Sequence, residues 1–362
     1  MRKVLLATTL LVAASTLPAI AGTTVEVMSF GSNPGKLRMY KHIPNQLPAH
    51  PALVVVMHGC TQDAVTYTDE SGWTQMSDQL GVALVMPQQE QANNSNYCFS
   101  WYDPTKTARD KGEALSIKQM VDYMKSHHAI DPKRVFVTGL SAGGAMTSVM
   151  LADYPDVFSA GAIISGLPYG CANNLTDALQ CMQSGHPGTT ASSGVGSLPG
   201  LSGGLPLSPS YCMFYPSLCS ATPVNGGGGS AGYTAAQWGD FVRAADPKYT
   251  GPYPSVSIWH GSADTTVSPA NAISEMQQWT NVHKIDPATS VQKDTVNGFP
   301  HESYKDTHGR VMVETYSITG MSHGHPVDPG TGLNQCGTAD KYVLNEHICS
   351  SLHVAHFLGL TG

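Results

Sequence analysis

Charge is scarce in this chain. Asp, Glu, Lys and Arg make up 12% of its 362 residues, about half of ordinary usage. Its surface must therefore be covered largely by Ser, Thr, Asn, Gln, Gly and apolar groups, which suits a neutral partner. The segment 178–239 lacks all four charged residue types. With 19 basic and 26 acidic residues the formal net charge is −7, and such a balance does not attract nucleic acid or anionic membrane. Past the first twenty or so residues, no run has the length and apolar density of a membrane-spanning helix. No C-x-x-C pair occurs, which removes zinc-ribbon and thioredoxin-type readings. No GxxxxGK loop is present to cradle a phosphate. Internal repeats are absent as well.

What is there begins with Arg2-Lys3, an apolar stretch over residues 4–14, and Ala19-Ile20-Ala21. This is the charged, apolar, small-x-small order of a secretory signal peptide. Residues 1–21 are expected to be removed, leaving 17 basic against 26 acidic residues, a net of −9. The product is expected outside the cytoplasm, extracellular or periplasmic. There the eight cysteines favour disulfides over metal or redox roles. Nearness in sequence pairs Cys171 with Cys181, Cys212 with Cys219 and Cys336 with Cys349, leaving Cys60 to meet Cys98.

Residues 25–30 and 36–42 flank Gly31-Ser32-Asn33-Pro34-Gly35 and read as a hairpin. Runs at 52–57 and 82–86 are apolar without alternation, as in strands buried on both faces, and 135–137, 160–165, 256–259 and 311–318 are expected to be further strands. Ile117, Met120, Val121 and Met124 keep helical spacing within 112–128, and further helices are expected near 144–151 and 270–279. Strands alternating with helices imply an α/β protein with a mostly parallel sheet covered on both sides. Residues 22–362 are expected to form one catalytic domain with a neutral Gly/Ser/Pro-rich insertion at 178–239. That insertion is either a lid or substrate-contact region or a flexible surface loop.

The chemistry centres on Gly139-Leu140-Ser141-Ala142-Gly143, directly after an expected strand and before an expected helix. A serine in G-x-S-x-G at such a junction sits on a tight turn, its hydroxyl pushed out at the sheet edge. The next backbone N–H then lies where an oxyanion would form. An esterase also needs an acid and a base, each at a strand end and in the order Ser, acid, His. His260-Gly261-Ser262-Ala263-Asp264 follows one expected strand, and Thr319-Gly320-Met321-Ser322-His323-Gly324-His325 follows another. Asp264 and His323 are the candidates, with Asp328 and His325 as competitors. The oxyanion donors are expected from Ala142 and from the loop 58–62, in which His58 reads as a structural residue. The spacing of His301, His308, His323 and His325 fits no common metal site, and no metal or other cofactor is expected.

At these residues the chain resembles the secreted polyhydroxyalkanoate depolymerase and esterase family of α/β hydrolases. The matching pieces are HGCTQ at 58–62, GLSAGGAM at 139–146, SGLPYGCA at 165–172 and CM at 181–182. They continue with GPYPSVSIWHGSADTTV at 251–267, QWT at 278–280, GMSHGHPVDPG at 320–330 and CG at 336–337, ahead of a final helix. The resemblance implies an α/β-hydrolase fold, Ser141 as nucleophile, Asp264 as acid, His323 as base and Cys60 as an oxyanion donor beside Ala142. It implies hydrolysis of a short-chain hydroxyalkanoate polyester or its oligomers. Trp101, Tyr211, Phe214 and Tyr215 are the expected substrate contacts. Many polymer-degrading members carry a linker and a separate polymer-binding domain, and none is expected in this chain. The rival readings are a feruloyl or acetylxylan esterase and a non-catalytic binding protein on a hydrolase scaffold.

Overall fold

A computed structural model of the chain describes residues 21–186 and 233–361. The expected leader therefore lies outside the described residues, apart from Ala21. So do Tyr211, Phe214, Tyr215 and the expected Cys212–Cys219 pair.

The expected hairpin is formed by β1 (Thr23–Val27) and β2 (Arg38–Ile43), antiparallel, with Val25 opposite Lys41. The parallel centre follows: β3 (Leu53–Met57), β4 (Ala83–Gln88), β5 (Val135–Leu140), β6 (Ala160–Ile164), β7 (Ser255–Gly261) and β10 (Val311–Ile318). Their edges fall within a few residues of the expected strands. An antiparallel hairpin of β8 (Val291–Val296) and β9 (Phe299–Lys305) extends the sheet beyond β10. The strand order is β1-β2-β4-β3-β5-β6-β7-β10-β9-β8. A separate parallel pair joins β11 (His325–Val327) to β12 (Val343–Asn345).

The sheet is covered on both faces, and β3 shows why it must be. All five of its residues are buried, and alternation sends them to opposite sides. Leu53, Val55 and Met57 join a core with Ile117, Met120, Val121 and Met124 of α4 (Gly112–His128) and Met146, Val149 and Met150 of α5 (Ala142–Asp153). Val54 and Val56 join the other core, with Tyr67 of α1 (Ala64–Glu70), Trp73 and Met76 of α2 (Trp73–Leu80) and Val354 of α9 (Ser350–Phe357). Each such side chain contributes about 1.5–3 kcal/mol by leaving water. Between α2 and α4 lies a single turn, α3 (Pro104–Thr107). Both ends of the charge-free segment prove helical: α6 (Leu175–Ser184) enters it and α7 (Ala235–Ala245) leaves it. Both pack against α8 (Ala270–Val282).

Candidate active site

Ser141 follows the last residue of β5 and forms the N-cap of α5, with φ 59° and ψ −118°. This is a conformation that a non-glycine residue holds only at a cost of about 1–3 kcal/mol. The surroundings impose it. The Ser141 N–H donates to the Ile164 carbonyl (2.9 Å), and the Ala145 N–H returns to the Ser141 carbonyl (2.8 Å). A Cβ at Gly143 would lie 2.3 Å from the Met57 carbonyl oxygen and 2.6 Å from that of His58, so the helix start passes where only glycine fits. The G-x-S-x-G expectation thus has its steric reason at the β3–β5 junction.

The loop after β3 meets this turn. His58 is fully buried, its Nδ1 donating to the Gly59 carbonyl (2.7 Å) and its Nε2 accepting from the Gln89 N–H (3.2 Å). Burial pushes its imidazole down to about 4, so it is a neutral structural residue, as expected. Gly59 N–H donates to Gln62 Oε1 (2.8 Å), Thr61 N–H donates to the Asn96 carbonyl (2.7 Å), and a Cys60–Cys98 disulfide closes the loop. The backbone N–H groups of Cys60 and Ala142 have no hydrogen-bond partner among the described residues. Both residues line the pocket that holds Ser141 and His323.

Asp264 lies in the turn after β7, almost fully buried. Its Oδ1 accepts from the N–H groups of Thr266 (2.8 Å) and Val267 (2.9 Å), and its Oδ2 accepts from His323 Nδ1 (2.7 Å). Burial opposes its ionisation, but the charge and hydrogen bonds of His323 and His260 outweigh that and hold the carboxyl well below the usual carboxylate range. The His323 loop is stapled to the Asp264 turn. Ala263 N–H donates to the Met321 carbonyl (3.0 Å), Gly320 N–H to Ser262 Oγ (2.9 Å), and Ser165 Oγ to the Gly324 carbonyl (3.1 Å). A Cβ at Gly261 would lie 2.3 Å from the Met321 carbonyl oxygen, so the two loops could not close with any larger residue there.

The two competitors lie elsewhere. His325 starts β11 and is buried, its ring bonded to Tyr67 Oη (3.0 Å) and Ser350 Oγ (2.8 Å), and burial pushes it down to about 3. Asp328 pairs through its backbone with Cys336, and its carboxylate lies 3.7 Å from His347.

The pocket lies open to solvent between these groups and an apolar wall. Leu175, Ala178, Leu179 and Met182 line it from α6, and Trp101, Tyr102, Leu167 and Tyr342 line it from other loops. Trp101 is where a substrate contact is expected, packed edge-on against Tyr102 at 5.5 Å. The α6 residues, Tyr102, Tyr342 and His260 are additions to the expected set. The apolar positions of α6 recur at i, i+3, i+4 and i+7, a helical stripe visible in the sequence. A Cys171–Cys181 disulfide ties α6 back, and Cys336–Cys349 ties the start of α9. A partly exposed serine hydroxyl, an imidazole bonded to a carboxylate and two N–H groups without partners among the described residues, around one cavity, are the kinds of part that acyl transfer requires.

Known proteins resemble this chain in sequence and fold. A family model described as esterase PHB depolymerase matches residues 40–202. Poly(3-hydroxyalkanoate) depolymerase C of Paucimonas lemoignei is 46% identical, the likeness covering 100% of this chain and 77% of that one. An acetylxylan esterase of Coprinopsis cinerea is 33% identical over 84% of this chain and 70% of its own. A feruloyl esterase B of Talaromyces funiculosus is 31% identical over 90% and 80%. Among solved structures, an acetyl xylan esterase from Aspergillus awamori superposes with a TM-score of 0.67 at 24% identity, over 94% of this chain and 100% of that one, which establishes a shared α/β-hydrolase fold. The chain belongs to the esterase PHB depolymerase family of α/β hydrolases.

Proposed function

We propose that this protein is an exported serine esterase that hydrolyses short-chain polyhydroxyalkanoate, of the poly(3-hydroxybutyrate) type, or its oligomers. The observation that carries the reading is the convergence on one apolar pocket of Ser141, the Asp264–His323 pair and the N–H groups of Cys60 and Ala142, which have no partner among the described residues. The similarity to a named polyhydroxyalkanoate depolymerase along the whole chain supports the substrate. Three disulfides support an oxidising compartment, and no helix among the described residues is long and apolar enough to cross a membrane. Cleavage near Ala21 would release the protein.

In this mechanism Ser141 Oγ attacks the ester carbonyl carbon while His323 Nε2 takes its proton. The carbonyl oxygen becomes an anion held by the N–H groups of Cys60 and Ala142. Collapse breaks the carbon–oxygen bond to the leaving alcohol, which receives the proton from His323, and leaves Ser141 acylated. Water then repeats the sequence: His323 takes its proton, the acid is released and Ser141 regains its hydrogen. Asp264 keeps His323 Nδ1 protonated and faces Nε2 to the serine. A neutral polyester offers carbonyls and methyl groups but no charge, which matches a wall of leucine, methionine and aromatic side chains.

The test is a substrate panel on wild type and Ser141→Ala: 3-hydroxybutyrate oligomers, amorphous polymer film, methyl ferulate and acetylated xylan. We expect the oligomers and film to be cleaved far faster than the carbohydrate esters, and all turnover to fall by at least about 10³-fold in the variant. Preference for methyl ferulate or acetylxylan would assign the protein instead to the activity named for its more distant relatives. Full activity of Ser141→Ala would overturn the mechanism.

A further inference from the structure

We propose that His260 is a positioning residue for the acid of this site, holding the Asp264 carboxylate in the orientation that His323 needs. The inference rests on the esterase reading above and adds a residue to it.

His260 lies at the end of β7, four residues before Asp264, and is 3% exposed. Its Nε2 stands 2.9 Å from the Val267 carbonyl oxygen and 3.4 Å from Asp264 Oδ2. Both are acceptors only, so Nε2 carries the proton; it donates to the Val267 carbonyl, and the carboxylate oxygen lies near its positive N–H edge without a second hydrogen bond. Asp264 is thus gripped from both ends. Oδ1 is fixed by two backbone N–H groups of its own turn, and Oδ2 is approached by one imidazole from β7 and another from the loop after β10. The same His260 N–H also ties the far end of the turn at Val267, a residue that lines the pocket.

The arrangement has a cost that packing alone does not explain. His260 Nδ1 is buried and has no partner among the described residues. A buried nitrogen without a hydrogen bond costs about 1–3 kcal/mol, which an apolar ring of similar shape would not incur. What an imidazole supplies and a phenyl ring does not is the N–H aimed at Val267 and Asp264. The ionisable groups acting on the carboxyl from the elements packed around it are His323 and His260. Removing the His260 donor leaves His323 as the one neighbouring side chain that stabilises the anion. The carboxylate then holds a protonated His323 more tightly, and more alkaline solution is needed to free the base.

The experiment is the pH dependence of kcat/KM on a soluble p-nitrophenyl ester for wild type, His260→Phe and His260→Gln. Phe keeps the shape and loses the N–H, while Gln places an amide N–H near the position of Nε2. We expect His260→Phe to lose about tenfold in kcat and its acid limb to move up by about half a pH unit. His260→Gln should keep the limb of the wild type. A folded His260→Phe with an unmoved limb would overturn the proposal whatever its loss of kcat, because a purely packing role lowers activity without changing the titration. If His260→Phe fails to fold, His260→Asn replaces it: its amide is too short to reach, so its limb should move while that of Gln does not, and equal limbs refute the idea. The underlying reading fails separately, if the activity of the wild type survives Ser141→Ala.

Discussion

A buried carboxylate persists only where donors and positive charge surround it, and Asp264 accepts from two backbone N–H groups and His323, with the N–H edge of His260 3.4 Å away. That environment makes the charge useful, because an ionised Asp264 fixes the proton of His323 on Nδ1. Asp264→Asn preserves the Oδ1 acceptor and the size of the side chain but turns an N–H donor toward Nδ1, forcing the wrong tautomer. We expect kcat to fall by about 10²–10⁴-fold while the far-UV circular dichroism spectrum stays unchanged. A variant with more than a tenth of the activity would mean that the carboxylate does not orient the base. Ser141, Asp264 and a histidine at 323 or 325 are legible in the sequence because each sits past an expected strand and in the required order. The choice between His323 and His325 is not legible. The two are separated by one residue and both adjoin Gly324, and only the start of β11 turns His325 into the interior, against Tyr67 and Ser350.

At the level of elements, α8 carries the burden of holding the pocket wall. Trp279 and Val282 enter the core, and its other buried side chains are polar: Asn271 Nδ2 donates to the Cys181 carbonyl of α6 (3.0 Å), and Gln278 Nε2 donates to the carbonyls of Tyr169 (2.9 Å) and of Trp238 in α7 (3.1 Å). Between them Glu275 is buried with no hydrogen bond to either oxygen among the described residues. Burial pushes its carboxyl well above the usual range. The folded chain therefore keeps a proton that the unfolded chain releases above about pH 4.3, so this group lowers stability progressively as pH rises from there. Glu275→Gln removes that penalty. Thermal melts should show the variant close to wild type at pH 4.5 and clearly more stable at pH 8. Parallel melting at both pH values would mean that Glu275 is not held protonated. The helical stripe of α6 could have been found in the sequence by its spacing, but the absence of charge from residue 178 onward draws the eye to a loop instead. The β8–β9 hairpin leaves no such trace. The four central residues of β8 are polar and exposed because this edge of the sheet faces water, so no apolar run marks it.

Across the whole molecule, the carboxyl ends of β3, β5, β7 and β10 deliver the loop 58–62, Ser141, Asp264 and His323 to one end of the sheet. That is where open parallel sheets bind their ligands. This arrangement is legible in outline, since the alternation of buried strands and helices already implies a parallel sheet and the chemistry-bearing residues all follow strands. What outline cannot supply is the closeness of approach, such as Gly143 against Met57 or Gly261 against Met321, which emerges only when distant segments pack. Disulfides then fix the assembled end: Cys60–Cys98 closes a separation of 38 residues, the longest of the three described, around the oxyanion loop. If Ser141 is the nucleophile of a single reacting centre, titration with a fluorophosphonate followed by peptide mapping will find it. We expect one label per molecule, located on Ser141, with activity lost in proportion to labelling and no label taken up by Ser141→Ala. Complete inactivation with the label on another residue, or full activity after Ser141 is labelled, would contradict it.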